Sequence, residues 1–327
     1  MSTGSLHHWI RASALGLLAT ASALSWAQSA PYPSSTIHMI AASSPGGGVD
    51  YLARESARIL ADSLNVSAIV ENRPGGNGVV GKDLVAKARP DGYTLLMGSS
   101  SLPLDRMLHP TYPFDISDFV PVIYVGFIPL VLVANPAFPV KDVKELISMA
   151  KAQPGKISFA TGGTGAGAHL SGEMFQYLTG SKLLNVPYKG NAPALVDVLA
   201  GHVNIMWDTM NTSLPHLRAG KLKALAVTSP KRSGVTPEYP TMIEAGLPGF
   251  EISAWYMIFA PKGTPGDVLQ KLNTTLAKAF GNPDFSKRMS AQGIEVVGGS
   301  IADAQAVLKG EIERWAPIVK AANIKGD

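Results

Sequence analysis

Two glycine-rich segments carry residues whose types and spacing suit anion binding. They are Ser43-Ser44-Pro45-Gly46-Gly47-Gly48-Val49-Asp50 and Thr161-Gly162-Gly163-Thr164-Gly165-Ala166-Gly167-Ala168-His169. Each leaves an apolar, strand-like run and opens an amphipathic one. Glycine lets the backbone turn tightly and aim N–H groups at a ligand, and the positive end of a helix favours a carboxylate or phosphate without any lysine. The first segment also fits a plainer role, a tight turn with Asp50 at the helix cap. There the acid competes with a bound anion unless it is turned away, toward Arg54 one turn on. His169, at the expected start of the second helix, is placed either to hydrogen-bond a ligand or to brace its loop.

Gly163, Gly165 and Ala168 also satisfy the dinucleotide pattern G-x-G-x-x-A. That chemistry needs an acid roughly 20 residues on to hold the ribose, and no Asp or Glu lies between Glu173 and Asp197. No G-x-S-x-G elbow, H-E-x-x-H or P-loop is present, so hydrolase and nicotinamide readings lack their machinery. His38, His109, His169, His202 and His216 form no i, i+4 pair, and no metal or cofactor is expected. Trp207, Trp255 and Tyr256 lie at expected strand ends, as core or as walls of a pocket. Asp208 suits either a hydrogen bond from a ligand hydroxyl or the capping of the next turn. Lys189 is a rim charge or an ordinary exposed lysine. Ser99 and Ser100, just past a strand, complete the candidate set.

These residues need a scaffold of strand–loop–helix units, and the hydrophobic pattern supplies one. Strand-like runs at 37–42, 68–71 and 93–97 alternate with helical periodicity at 50–64 and 79–88. Runs at 119–125 and 130–134 follow, then a helix at 141–152. A second set alternates strands at 156–161, 183–186, 202–207 and 222–228 with helices at 169–178, 193–200 and 212–219. Thr264, with Pro265 as first helical residue and Asp267 beyond it, predicts another helix start, and Ser300 with Asp303 predicts a capping box before residues 304–320. This is an α/β chain of two mostly parallel units flanked by helices, with no repeat of solenoid period.

Composition narrows the class further. The 327 residues are 46% apolar and only 16% charged, which excludes a disordered or coiled-coil protein, and the length accommodates two cores. The formal net charge is +4 and no basic run exceeds Lys231-Arg232, so there is no footprint for nucleic acid. There is no cysteine, hence no disulfide, thiolate metal site or Cys nucleophile. Residues 1–27 read as a cleaved signal peptide. Arg11, flanked by His7 and His8, gives a basic end, an Ala/Leu run follows, and Ser25-Trp26-Ala27 offers a cleavage site. The run is shorter than the ~20 residues of a membrane span, and a bacterial periplasm fits the absence of cysteine.

Together these pieces resemble the Bug-type periplasmic solute receptors of tripartite tricarboxylate transporters. The match is carried by Pro45-Gly46-Gly47-Gly48-Val49-Asp50, Glu71-Asn72-Arg73-Pro74-Gly75, Pro90-Asp91-Gly92-Tyr93-Thr94-Leu95 and Val186-Pro187-Tyr188-Lys189-Gly190. Ala192-Pro193-Ala194-Leu195, Gly220-Lys221-Leu222, Glu244-Ala245-Gly246-Leu247-Pro248-Gly249 and Ala260-Pro261-Lys262-Gly263-Thr264-Pro265 extend it in order. The resemblance implies a two-domain periplasmic-binding-protein clamshell, with residues 28–128 and 254–327 in one lobe, residues 129–253 in the other, and the cleft between them. It implies a receptor that binds a small carboxylate through backbone N–H groups of both loops and hands it to membrane permease subunits, and a receptor that docks on a permease can act as a monomer. A receptor that reports to a signalling partner would use the same fold.

Several positions depart from the family pattern. Ser43 stands for a usual aromatic and Val49 for a usual Thr. Ala166 and Gly167 stand for usual hydroxyl residues, Trp207-Asp208-Thr209 for Phe-Asp-Asn, and Met257 for a Gly. Lost hydroxyls and added apolar bulk favour a less polar ligand than a hydroxylated tricarboxylate. An aromatic mono- or dicarboxylate stacking on Trp255, Tyr256 or Trp207 is the expectation.

Overall fold

A computed structural model describes residues 31–163, 165–188, 190–234 and 236–322. The expected leader, residues 1–27, lies outside the described residues, as do Thr164 and Lys189 of the candidate set. All elements belong to one unit that begins at Thr36.

Strand β1 (Ile37–Ala41) is apolar nearly throughout because parallel neighbours flank it on both sides. Those neighbours are β2 (Ala68–Asn72) and β3 (Thr94–Ser99), with Met39 opposite Val70 on one side and Leu95 on the other. Helix α1 (Gly48–Leu64) covers the sheet through Leu52, Ala53, Ala57 and Leu60 and stops at Asn65, whose left-handed φ of 53° ends the helix. Helix α2 (Val79–Ala86) and the single turn α3 (Asp105–Leu108) follow β2 and β3.

Beyond β3 the sheet turns antiparallel. Strand β9 (Ser253–Pro261) lies between β3 and the 16-residue β4 (Phe119–Ala134). The first part of β4 pairs with β9 and with β10 (Glu295–Gly298), and the part from Leu130 pairs with β7 (Ile205–Thr209) and β8 (Lys223–Val227). Strands β5 (Ser158–Thr161) and β6 (Leu184–Pro187) then extend β7 in parallel. The order is β2-β1-β3-β9-β4-β7-β5-β6, a mixed α/β sheet whose two halves share β4. The sequence pattern breaks β4 at Gly126 and Pro129, but β9 pairs across this stretch, with Phe127 opposite Trp255 and Pro129 opposite Ser253.

Helices α4 (Val143–Ala152), α5 (Gly167–Thr179), α6 (Asn191–Ala200) and α7 (Met210–Arg218) pack on the second half. Period-two alternation along β4 serves two cores there. Leu130, Leu132 and Ala134 face one, and Val131 and Val133 the other. The first core centres on Trp207, stacked on Phe250 at 6.3 Å and tilted against Phe175 at 5.6 Å. Trp207 is wholly buried, so its expected role as a stacking wall is corrected: this ring is core.

Helix α8 (Gly266–Phe280) begins one residue later than the pattern suggests. Pro265 is its cap, while the Thr264 hydroxyl donates to the Pro261 carbonyl at 2.8 Å instead of capping. Helix α9 (Pro283–Ala291) follows, capped by Asn282, which accepts from the Asp284 N–H. The Ser300–Asp303 box is formed. The Ser300 hydroxyl accepts from the Asp303 N–H at 3.1 Å and the Asp303 carboxylate from the Ser300 N–H at 2.8 Å, opening α10 (Ile301–Ala322). Among the described residues no helix is long and apolar enough to cross a membrane.

Candidate functional site

The two glycine-rich loops fold alike. Helix α1 starts at Gly48 behind the extended Gly47 (φ −88°, ψ 175°), and α5 starts at Gly167 behind the extended Ala166 (φ −65°, ψ 155°). Neither start has a side-chain cap, so first-turn N–H groups keep their partial positive charge for something else. In both, the third helical residue reaches back four positions to hold the loop. Asp50 Oδ2 accepts from the Gly46 N–H at 2.9 Å, and His169 Nδ1 accepts from the Gly165 N–H at 3.1 Å.

Asp50 is itself gripped by Arg54, 2.9 Å from Oδ1, and by Asn72 Nδ2 at 2.9 Å. The Arg54 guanidinium, with the Gly46 and Asn72 donors, holds the Asp50 carboxyl at about 2, below the ordinary 3.8. The ionised acid thus stays at the helix start, its charge balanced by Arg54 and its oxygens occupied by the Gly46 and Asn72 donors. Accepting a backbone proton at Nδ1 puts the neutral His169 hydrogen on Nε2, toward Glu173 Oε1 at 3.8 Å. Of its two possible roles, the ring braces the loop.

Two glycines are required by close approach. A Cβ on Gly48 would lie 2.4 Å from the Tyr256 phenol oxygen, and one on Gly162 would lie 2.1 Å from Asn191 Oδ1 and 2.9 Å from the Asn191 nitrogen. The loops are thereby packed against β9 and α6.

Two adjoining cavities lie along these loops. One, of about 320 Å³, is bounded by Gly163, Ala166 and Gly167 of the second loop, by Ser100, and by Glu311 and Trp315 of α10. The other, of about 340 Å³, is bounded by Ser43, Ser44 and Val49 of the first loop, by Gly75 and Gly78, and by Lys82 of α2. Ser99 and Ser101 line both. Glu311 Oε2 accepts from the indole N–H groups of Trp255 at 3.1 Å and Trp315 at 3.3 Å, while Oε1 pairs with Arg314. Among the described residues no cluster of three or more His, Cys, Asp or Glu is arranged to hold a metal.

Residues 52–324 match the family described as the tripartite tricarboxylate transporter family receptor. The chain belongs to that receptor family. It is 41% identical to protein BugT of Bordetella pertussis over 297 residues, covering 90% of this chain and 91% of that protein. It is 39% identical to a protein encoded in the tcbD-tcbE intergenic region of Pseudomonas sp. strain P51, covering 88% and 86%. Among solved structures, R. palustris Rpa4515 with adipate superposes with a TM-score of 0.77 at 35% identity, covering 90% of this chain and all of that one. MatC from Rhodopseudomonas palustris with bound malate gives 0.72 at 32% identity, covering 88% and 100%.

In this receptor Ser43, Ser44, Val49, Ser99, Ser100, Gly163, Gly165, Ala166 and Gly167 all line the cavities. Gly46 and Gly47 form the turn before α1, and Gly48 is its first residue, under Tyr256. Other candidates are placed elsewhere. Thr161 is fully buried and donates to Asn185 Oδ1 at 3.0 Å. Asp208 is also fully buried; its Oδ2 accepts from Thr212 at 2.5 Å and Ser213 at 2.8 Å, and burial pushes its carboxyl up. It braces the β7–α7 turn rather than facing the cavities.

Trp255 and Tyr256 are buried too, the first tied to Glu311 and the second pressed on Gly48, where burial pushes its phenol up to about 12. The aromatic side chain that reaches a cavity wall is Trp315, which the sequence reading omits along with Ser101, Ser253, Glu311 and Lys82. Two signals were available: Ser101 completes the run begun by Ser99, and Glu311 with Trp315 has the i, i+4 spacing of one helix face.

Proposed function

We propose that this receptor is exported by removal of residues 1–27, captures a small carboxylate in the periplasm and delivers it to membrane permease subunits of a tripartite tricarboxylate transporter. It does so as a monomer, without a cofactor and without catalysis. The observation that carries this reading is the matched pair of uncapped helix starts, α1 and α5, whose loops open onto adjoining cavities. Each start contributes about 0.3–2 kcal/mol toward an anion, and backbone N–H bonds add to it without the desolvation of a lysine beside each carboxylate oxygen. That suits a grip that must also release. The adipate and malate in the related solved structures support the same ligand class.

The two loops sit on opposite halves of the sheet, on β1 and β5. Residues 28–128 with 254–327, and residues 129–253, act as two lobes. A ligand held by both loops stabilises their closure, since only contacts that differ between open and closed states shift that balance.

The test is a melting-temperature screen of residues 28–327 with succinate, malate, adipate, citrate, nicotinate, benzoate and the phthalates, followed by calorimetry and a check for turnover. A ligand at 100 times its Kd adds about 2.7 kcal/mol of stability. A shift with one carboxylate class and no product is the expected result; no shift with any of them overturns the reading.

A further inference from the structure

Among the buried charges that the loops do not use is the cation Lys82. Its side chain is 4% exposed and its Nζ lies 2.7 Å from Oδ2 of Asp105, itself 3% exposed. A pair so placed loses several kcal/mol of hydration per ion, and apolar residues of like volume commonly serve a fold as well or better. Stability alone therefore gives no reason for a lysine at this position of α2. The cavity does. Lys82 lines the 340 Å³ cavity beside Ser43, Ser44 and Gly75, whereas Asp105 is absent from its walls, so the positive member of the pair is the one presented.

The ammonium also sets the direction of a hydroxyl chain. An ammonium only donates, so Ser101 Oγ accepts from Lys82 Nζ at 3.2 Å. Ser101 is then free to pass its own hydrogen to Ser99 Oγ, 3.3 Å away, which leaves the Ser99 hydrogen for a further acceptor. Both serines stand where the two cavities meet. A cationic donor, a donor-directed serine pair and a neighbouring cavity with its own helix start form two anion-seeking ends joined by one polar waist.

We propose that Lys82 is the specificity residue for a second carboxylate, so that the receptor selects dicarboxylates over monocarboxylates. One carboxylate sits at the α5 start and the other at the Lys82 end. The inference rests on the carboxylate-receptor reading and deepens it.

The test is calorimetry with the matched pairs succinate and butyrate, adipate and hexanoate, and terephthalate and benzoate. The wild-type chain is compared with K82M/D105L, which removes both charges together, and with K82Q, which keeps a donor but no charge. The expected result is a wild-type preference for the diacid of at least tenfold in the best pair, with that ratio falling at least tenfold in K82M/D105L and in K82Q. If the double variant fails to fold, K82Q alone decides. A ratio that survives the loss of the Lys82 charge, or a wild-type preference for monoacids, overturns the inference while leaving the receptor reading standing. Absence of binding to all six acids instead overturns the receptor reading itself.

Discussion

Replacing Glu311 with Ala removes the acceptor shared by two buried indoles. Trp255 and Trp315 both donate to its Oε2, at 3.1 and 3.3 Å, and both rings are at most 2% exposed. Both N–H groups lose that acceptor, and each donor left stranded costs about 1–3 kcal/mol. Arg314 loses one carboxylate but keeps Glu251 at 3.2 Å and is about a quarter exposed, so its share is small. The expected loss for E311A is about 2–5 kcal/mol, a melting-point drop of roughly 1–2 °C for each kcal/mol in a chain of this size. E311Q retains an amide oxygen for the indoles but gives up the charge and the second oxygen that accepts from Arg314, so its loss should be about 1–2 kcal/mol. Urea titration followed by tryptophan fluorescence measures both, with the m-value checking that the unfolding unit is unchanged. A loss below 1 kcal/mol in E311A, or equal losses in the two variants, would refute the account of Glu311 as the common acceptor.

Two further outcomes follow from the first loop. G48A places a methyl carbon 2.4 Å from the phenol oxygen of a buried tyrosine, and this overpacking should cost about 1–3 kcal/mol. Y256F should recover part of that cost in the same background, which chemical denaturation of the single and double variants checks. The Asp50 carboxyl titrates lower in the folded chain, at about 2, than in the unfolded one. Its stabilisation is therefore complete above about pH 4 and lost as the pH falls toward 2. Stability measured from pH 5 to pH 2 should fall less steeply in D50N than in the wild-type chain.

The α/β alternation and both loops were legible because they depend on local chemistry. Glycines, apolar runs and helix starts announce themselves over a few residues, and so does the Ser300–Asp303 box. What was hidden depends on partners distant in the chain. Strand β4 is continuous because β9, more than 120 residues later, pairs across Gly126 and Pro129. Trp207 has the address of a pocket aromatic, yet its place opposite Leu132 puts it among Phe159, Phe175 and Phe250. Asp208 follows it into the interior, where hydroxyls from the next helical turn donate to one of its two carboxylate oxygens. Lys82 gains meaning only when the chain brings Asp105 and Ser101 to it, and Glu311 only when α10 returns to meet Trp255. Arg54 was the exception, since its i, i+4 spacing from Asp50 made the pairing readable in advance.

The matched braces at Gly46 and Gly165 bear on how often the receptor can be used. Each is made by a residue of the same short segment, Asp50 or His169, and so does not depend on what the loop holds. Fixing one residue of backbone costs about 1–2 kcal/mol. Here the ordering of Gly46 and Gly165 is completed when the chain folds. A receptor built this way presents the same two braces to each successive cargo.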